Sequence, residues 1–280
     1  MIYFINYADE NFECSRRYNS KSAYSKGKVD QVIEFSPADI DRKFKNKHKN
    51  IFSYKRGAGL WLWKPYIILK ALDNIENGDY LFYCDSGAII INSIGHLIPS
   101  LTKSNQDIML FELPLLARQF TKKETYVLMD CDKYDENQVL AGYIFVKKSN
   151  YSVKFIRNWL EYMCDERILS GKNFLKNINE FDDFVVHRED QSVLSILCRK
   201  HNLEVFRDPS DFGDRPWEYA SNRWTLNKKK YSNSEYPKIL IGNRSANPLV
   251  YKYKERIKTI LSRAGVYNEK IFLKKNNINF

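Results

Sequence analysis

Five positions in this chain have the residue types and spacing to do chemistry together. Asp85 directly follows Tyr80-Leu81-Phe82-Tyr83-Cys84. That apolar run has strand length and reads as a strand covered on both faces. Ligands of open α/β sheets bind beyond the carboxyl ends of the strands, so Asp85, Ser86 and Gly87 are placed to meet one. Arg56 and Lys64 lie upstream, in RGAGLWLWKP. Arg56 can hold a diphosphate by a bidentate, charge-assisted contact. Lys64 stands at the start of a helix, near the end that favours anions. Far downstream, Glu189 and Asp190 precede Gln191 and the apolar-periodic SVLSIL. Asp190 has two readings, as a general base facing a reaction centre or as the N-cap of the helix.

The elements that must position these residues follow from pattern. Pro65 suits a first helical turn, and Ile68, Ala71, Leu72 and Ile75 recur on one helix face. Asn77-Gly78 should stop that helix. Before it, residues 2–5 read as a strand, 11–26 as a helix and 32–35 as a second strand. Ser36-Pro37 then opens a short helix through Phe44. This β-α-β-α order predicts a mostly parallel central sheet flanked by helices, an α/β class fold. Residues 107–111 read as a strand ended by Glu112-Leu113-Pro114, and Gln138 to Val146 as a turn and a strand. Residues 150–169 read as a helix, 203–206 and 238–241 as strands. Gly57 and Gly59 allow close backbone approach, whereas Trp61 and Trp63 read as packing. Residues 208–236 turn polar and read as loops beside the site. Residues 247–265 read as a basic, weakly amphipathic helix, for which solvation is the default and docking on a membrane surface the lesser reading.

The order of RGAGLWLWKP, YCDSG, QVLAG and REDQ along the chain resembles bacterial glycosyltransferases of the GT-A type, found in capsule and lipopolysaccharide assembly. The resemblance spans roughly residues 1–245 and implies a single Rossmann-type catalytic domain there, with 246–280 as a C-terminal helical extension. It implies that Tyr7 and Ala8, after the first strand, meet the nucleotide base of a nucleotide-sugar donor. It places Arg56, Lys64, Asp85, Ser86, Gly87 and Arg244 on the donor, and Gln138, Ala141, Gly142 and Gln191 on the sugar or acceptor. Ala141 and Gly142 are small enough to sit beneath a sugar, although close packing of a strand glycine accounts for them equally. Such enzymes usually carry Asp-x-Asp at the strand end, binding Mn²⁺ or Mg²⁺ through hard oxygen ligands. Here Asp-Ser-Gly leaves Asp85 as the single metal ligand, and metal dependence is open. Asp190, with Glu189, would be the base of an inverting enzyme. An acid-glutamine pair also occurs in retaining ones. The acceptor would be a saccharide or a lipid-linked saccharide.

Composition bounds the alternatives. With 44% hydrophobic and 15% aromatic residues, the 280-residue chain can bury a sizeable core. It has no apolar run long enough for a membrane span and no signal-peptide pattern at its start. Its cysteines, 14, 84, 131, 164 and 198, form no CxxC pair, which argues against zinc and for reduced thiols. A cytoplasmic location, with contact to the inner membrane face as an extension, is the expectation. The net charge of +11 selects no partner by itself. A metal nuclease using Asp85, Glu189 and Asp190 is a rival reading. The lack of aromatic-basic interleaving argues against nucleic acid. A non-catalytic sugar-binding partner of an assembly complex is a second rival.

Overall fold

Phe4 and Ile5, successive apolar residues, are both fully buried, so the first strand, β1 (Ile2–Tyr7), is covered on both faces. The structure, a computed structural model, describes residues 1–242 and 248–278. Helix α1 (Glu13–Ser22) leads to β2 (Gln31–Phe35), which pairs parallel to β1. Helix α2 (Trp63–Asp73) leads to β3 (Tyr80–Cys84), parallel to β1 on its other side. β4 (Ala88–Ile90) then leaves this sheet and pairs with β9 (Leu240–Gly242).

The second half completes the sheet with β5 (Ile108–Leu116), β6 (Asn137–Val139), β7 (Tyr143–Lys147) and β8 (Val205–Arg207). The seven-stranded order is β2-β1-β3-β7-β5-β6, with β8 also paired to β5. β1, β2, β3, β5 and β8 run one way, while β6 and β7 run against them. The sheet is therefore mostly parallel in direction but mixed in pairing, with the reversed β7 at its centre. Successive residues supply opposite faces. Phe4, Phe82, Phe111 and Phe145 pack in one core cluster, and Ile5, Leu81, Tyr83 and Ile144 in the other. The second cluster also takes the buried faces of α2, α3 (Asn150–Met163) and α4 (Glu189–Lys200).

Several boundaries move. β5 runs on through Pro114 to Leu116, so Pro114 does not end it. Helix α2 stops at Asp73, before Asn77-Gly78. Arg188 occupies the N-cap of α4 and Asp190 lies inside the first turn, so Asp190 is not a cap. The C-terminal segment forms α5 (Pro248–Arg263) and α6 (Glu269–Lys275). α5 is amphipathic, with Tyr253, Ile257, Ile260 and Leu261 outward. Among the described residues, no helix is long and apolar enough to cross a membrane.

Candidate active site

The reversed strand β7 brings distant residues to the end of β3. Its register sets Tyr143 beside Cys84. The next residue, Asp85, donates its backbone N–H to the carbonyl of Gly142 at 2.8 Å. A Cβ at Gly142 would stand 3.2 Å from Asp85 Oδ2, so a larger residue there would crowd the carboxylate.

Lys64, on the first turn of α2, is only 2% exposed. Its ammonium donates to Asp190 Oδ2 at 2.5 Å and to the Ala141 carbonyl at 3.0 Å, and lies 3.5 Å from Asp85 Oδ1. Tyr83 donates its hydroxyl to the same Asp85 oxygen at 2.5 Å. Asp85 Oδ2 carries none of these contacts, and the Asp85 side chain is about half exposed. Burial pulls the Lys64 pKa down, and the two carboxylates more than offset it, so the group stays charged. Burial raises the Asp190 carboxyl, against the pull of Lys64. Arg56 holds Glu189 through Nε at 2.7 Å and Nη2 at 3.2 Å. Burial raises the Glu189 carboxyl while Arg56 lowers it. Arg56 and Lys64, two of the cations expected on the donor, are thus paired with carboxylates within the chain.

Between Arg56 and Lys64 the backbone takes an unusual course. Gly57, Ala58, Gly59, Leu60 and Trp61 all have positive φ, at 58°, 49°, 97°, 55° and 60°. Leu60 and Trp61 donate N–H bonds to the carbonyls of Arg56 and Gly57. The segment is one turn of left-handed helix, which L-residues other than glycine avoid. It presents Trp61 and lets Trp63 Nε1 donate to the Gly57 carbonyl at 2.9 Å. Trp63 stacks on Tyr7, with ring centroids 3.7 Å apart.

These parts enclose a cavity of about 450 Å³ beyond the ends of β1 and β3. Its lining includes Tyr7, Ala8, Asp85, Ser86, Gly87, Gly142 and Gln191 from the sequence expectation. Lys64, Gln138, Ala141, Glu189 and Asp190 are buried and do not line it, and the exposed Arg56 does not line it either. Asp190, expected to face the reacting atoms, ends on Lys64, and its neighbour Gln191 reaches the cavity. Gln191 Nε2 donates to Gln138 Oε1 at 2.7 Å, so Gln138 orients it from behind. Ser86 Oγ donates to the Tyr7 carbonyl at 2.5 Å, tying the ends of the two strands. Arg244 lies outside the described residues.

Sequence reasoning missed Trp61, Trp63, Leu140, Tyr143, Phe212, Tyr219 and Gly242, which also line the cavity. The signal for the tryptophans was their position between Arg56 and Lys64. Phe212 and Tyr219 come from the polar stretch read as loops beside the site.

No protein-family model matches the chain, and no curated protein matches it. Among solved structures, mouse xyloside xylosyltransferase 1 in its apo form is similar at 9% identity and TM-score 0.49, over 89% of this chain and 99% of that one. The galactosyltransferase LgtC, solved with donor and acceptor sugar analogues, is similar at 14% identity and TM-score 0.47, over 94% and 95%. The apo bifunctional glycosyltransferase WbbM is similar at 12% identity and TM-score 0.47, over 88% of this chain and 46% of its own.

A divalent ion can be tested against the residues present. Among the described residues, no three His, Cys, Asp or Glu side chains gather as a ligand set. Glu189 and Asp190 turn to Arg56 and Lys64, so the nuclease-type set of Asp85, Glu189 and Asp190 is not assembled. Asp85 Oδ2 remains as one hard oxygen donor at the cavity. That suits Mg²⁺ or Mn²⁺ held by one carboxylate together with substrate phosphates and water.

Proposed function

We propose that this protein is a glycosyltransferase. It moves a sugar from a nucleoside-diphosphate donor to a hydroxyl of a saccharide or lipid-linked saccharide, in the assembly of a surface polysaccharide. The observation that carries the reading is the cavity at the ends of β1 and β3, where an aromatic wall stands beside a carboxylate with one unengaged oxygen. The sequence motifs support the same reading. They fall together at this cavity and immediately behind it.

Tyr7 and Ala8 border the base, and Asp85 meets the donor through Oδ2. Gln191, steadied by Gln138, and Gly142 border the sugar and acceptor. The pairing of Asp190 with Lys64 favours Asp190 as a positioning residue that keeps Lys64 beside Asp85. For Asp190 to act as a base, Lys64 would have to leave it. Arg56 and Glu189 brace the left-handed turn from outside. Because Arg56 and Lys64 are already paired, Mn²⁺ or Mg²⁺ on Asp85, together with Arg244, would supply the charge that a diphosphate leaving group needs.

The test is a thermal-shift screen of nucleoside-diphosphate sugars with and without Mn²⁺, followed by an assay for nucleoside-diphosphate release on adding saccharide acceptors. A matching donor at about a hundred times its Kd should stabilise the fold by about 2.7 kcal/mol. If no nucleotide shifts the melting temperature at millimolar concentration, the reading is wrong. Binding with no turnover on any acceptor would leave the non-catalytic sugar-binding protein.

A further inference from the structure

Helix α5 is packed inside out. Its inner side is polar. Tyr251 donates to Asp211 Oδ2 at 3.0 Å, and Glu255 accepts from Arg215 at 2.5 Å and Lys238 at 3.1 Å. Lys258 donates to Glu218 at 3.1 Å. The opposite side is apolar and exposed, with Tyr253 at 66%, Ile257 and Ile260 at 58% and Leu261 at 38%. At about 3.6 residues per turn these four fall in one stripe. A helix that only covers a core has the reverse arrangement. Val266 and Ile271, just beyond, are exposed as well.

Charge says what the stripe meets. Lys252, Arg256 and Arg263 border it on one side and Lys254 on the other, while Lys258 is engaged by Glu218. Glu255, the acidic residue of α5, faces inward. An apolar stripe with cations on both borders and no outward acid is the pattern of a helix lying in a lipid headgroup layer. Solvent alone gives no reason for so large a stripe to persist on a helix whose other side is buried by ion pairs.

We propose that α5 is an interfacial helix that seats the protein on an anionic bilayer. The stripe enters the boundary between headgroups and acyl chains, and the flanking lysines and arginines meet lipid phosphates. α5 is linked to the cavity indirectly, because Tyr251 donates to Asp211 and the next residue, Phe212, lines it. Binding of the helix to lipid does not depend on sugar transfer.

The full chain is sedimented with vesicles of phosphatidylcholine containing phosphatidylglycerol, and with phosphatidylcholine alone, at low and high salt. Binding should need phosphatidylglycerol and weaken with salt. The double variant Ile257→Asp/Ile260→Asp should bind at least about tenfold more weakly with an unchanged melting temperature, since both side chains are exposed. A Tyr253→Trp variant should show blue-shifted emission on the anionic vesicles. Equal sedimentation of parent and double variant would overturn the proposal, as would no binding to anionic vesicles. So would a dimer in analytical ultracentrifugation that the double variant abolishes while neither protein binds lipid. That last result would assign the stripe to a second copy of the chain.

Discussion

Lys64 spends its protons on Asp190, the Ala141 carbonyl and the edge of Asp85, which makes the pair with Asp190 sensitive to truncation. Removing one partner of a buried ion pair strands the other, at about 3–5 kcal/mol. Asp190→Ala should therefore lower stability by that amount in urea unfolding, and Asp190→Asn by less, because its amide oxygen still accepts from Lys64. If Asp190→Asn keeps its stability and donor affinity yet loses transfer by about 10²-fold or more, the base role returns. Metal binding gives a second expectation. With Asp85 Oδ2 as the available donor, calorimetry should find little Mn²⁺ binding to the protein alone and clear binding once a nucleoside diphosphate is present. Tight binding without nucleotide would mean a ligand set other than the one described. A third concerns Asp208, which is buried, has one oxygen without a partner, and is pushed by burial up to about 7. The folded chain then holds a proton that the unfolded chain releases. Stability falls as pH rises from about 4 to about 7, by about 4 kcal/mol at about 1.4 kcal/mol per unit. Asp208→Asn should flatten that slope in melting curves taken across pH. A slope equal to the parent's would assign it to other groups. The residue types at the site were legible in sequence, but their pairing was not. Arg56 and Glu189 are 133 positions apart, Lys64 and Asp190 126, and nothing local in either stretch signals that one neutralises the other.

Among the elements, the left-handed turn at 57–61 concentrates backbone strain beside the cavity. Ala58 has φ 49°, a conformation costing a non-glycine residue about 1–2 kcal/mol. Ala58→Gly should relieve that strain, less the extra freedom glycine gives the unfolded chain. The expected net gain is about 0.5–1 kcal/mol in chemical denaturation. Gly57→Ala should act oppositely, because its Cβ would stand 2.4 Å from the Trp61 ring. Displaced tryptophan emission and weaker donor binding are the expected signs. An unchanged spectrum would mean that the turn reshapes freely. Helix and strand types were largely readable from periodicity, as β3 shows. The turn was not, because Ala58, Leu60 and Trp61 are residues that normally avoid positive φ. Gln138 to Val146 was readable as a turn leading into a strand, but that residues 137–139 pair as β6 before the break at Leu140-Ala141-Gly142 was not. That break comes from pairing with β5 and β3, which no local pattern encodes. Pro114 misled because a missing N–H usually ends a strand, whereas here β5 continues past it.

Across the whole molecule, the C-terminal helices are fastened by charge more than by apolar contact. Arg215 is 1% exposed and shared among Asp211, Glu218 and Glu255. Glu255→Ala keeps the Glu218 contact, so a loss of about 1.5–3 kcal/mol is expected. Faster amide exchange should be confined to α5, and exchange rising equally in the central sheet would contradict this. The parallel half of the sheet was readable from the β-α-β-α order. The direction of β7 was not, since an apolar run does not say which way it points. That direction has a consequence in time. β3 is flanked on one side by β1, made before it, and on the other by β7, which starts at Tyr143. A ribosome adding about 5–20 residues per second takes about 3–13 s from Cys84 to Lys147. Throughout that interval, β2, β1 and β3 can pair while the far edge of β3 has no native neighbour, and an open apolar edge is a template for another chain. The yield of properly folded protein should therefore depend on translation speed between positions 85 and 147. Slow codons placed there should send more chain into aggregates than the same codons placed after 147.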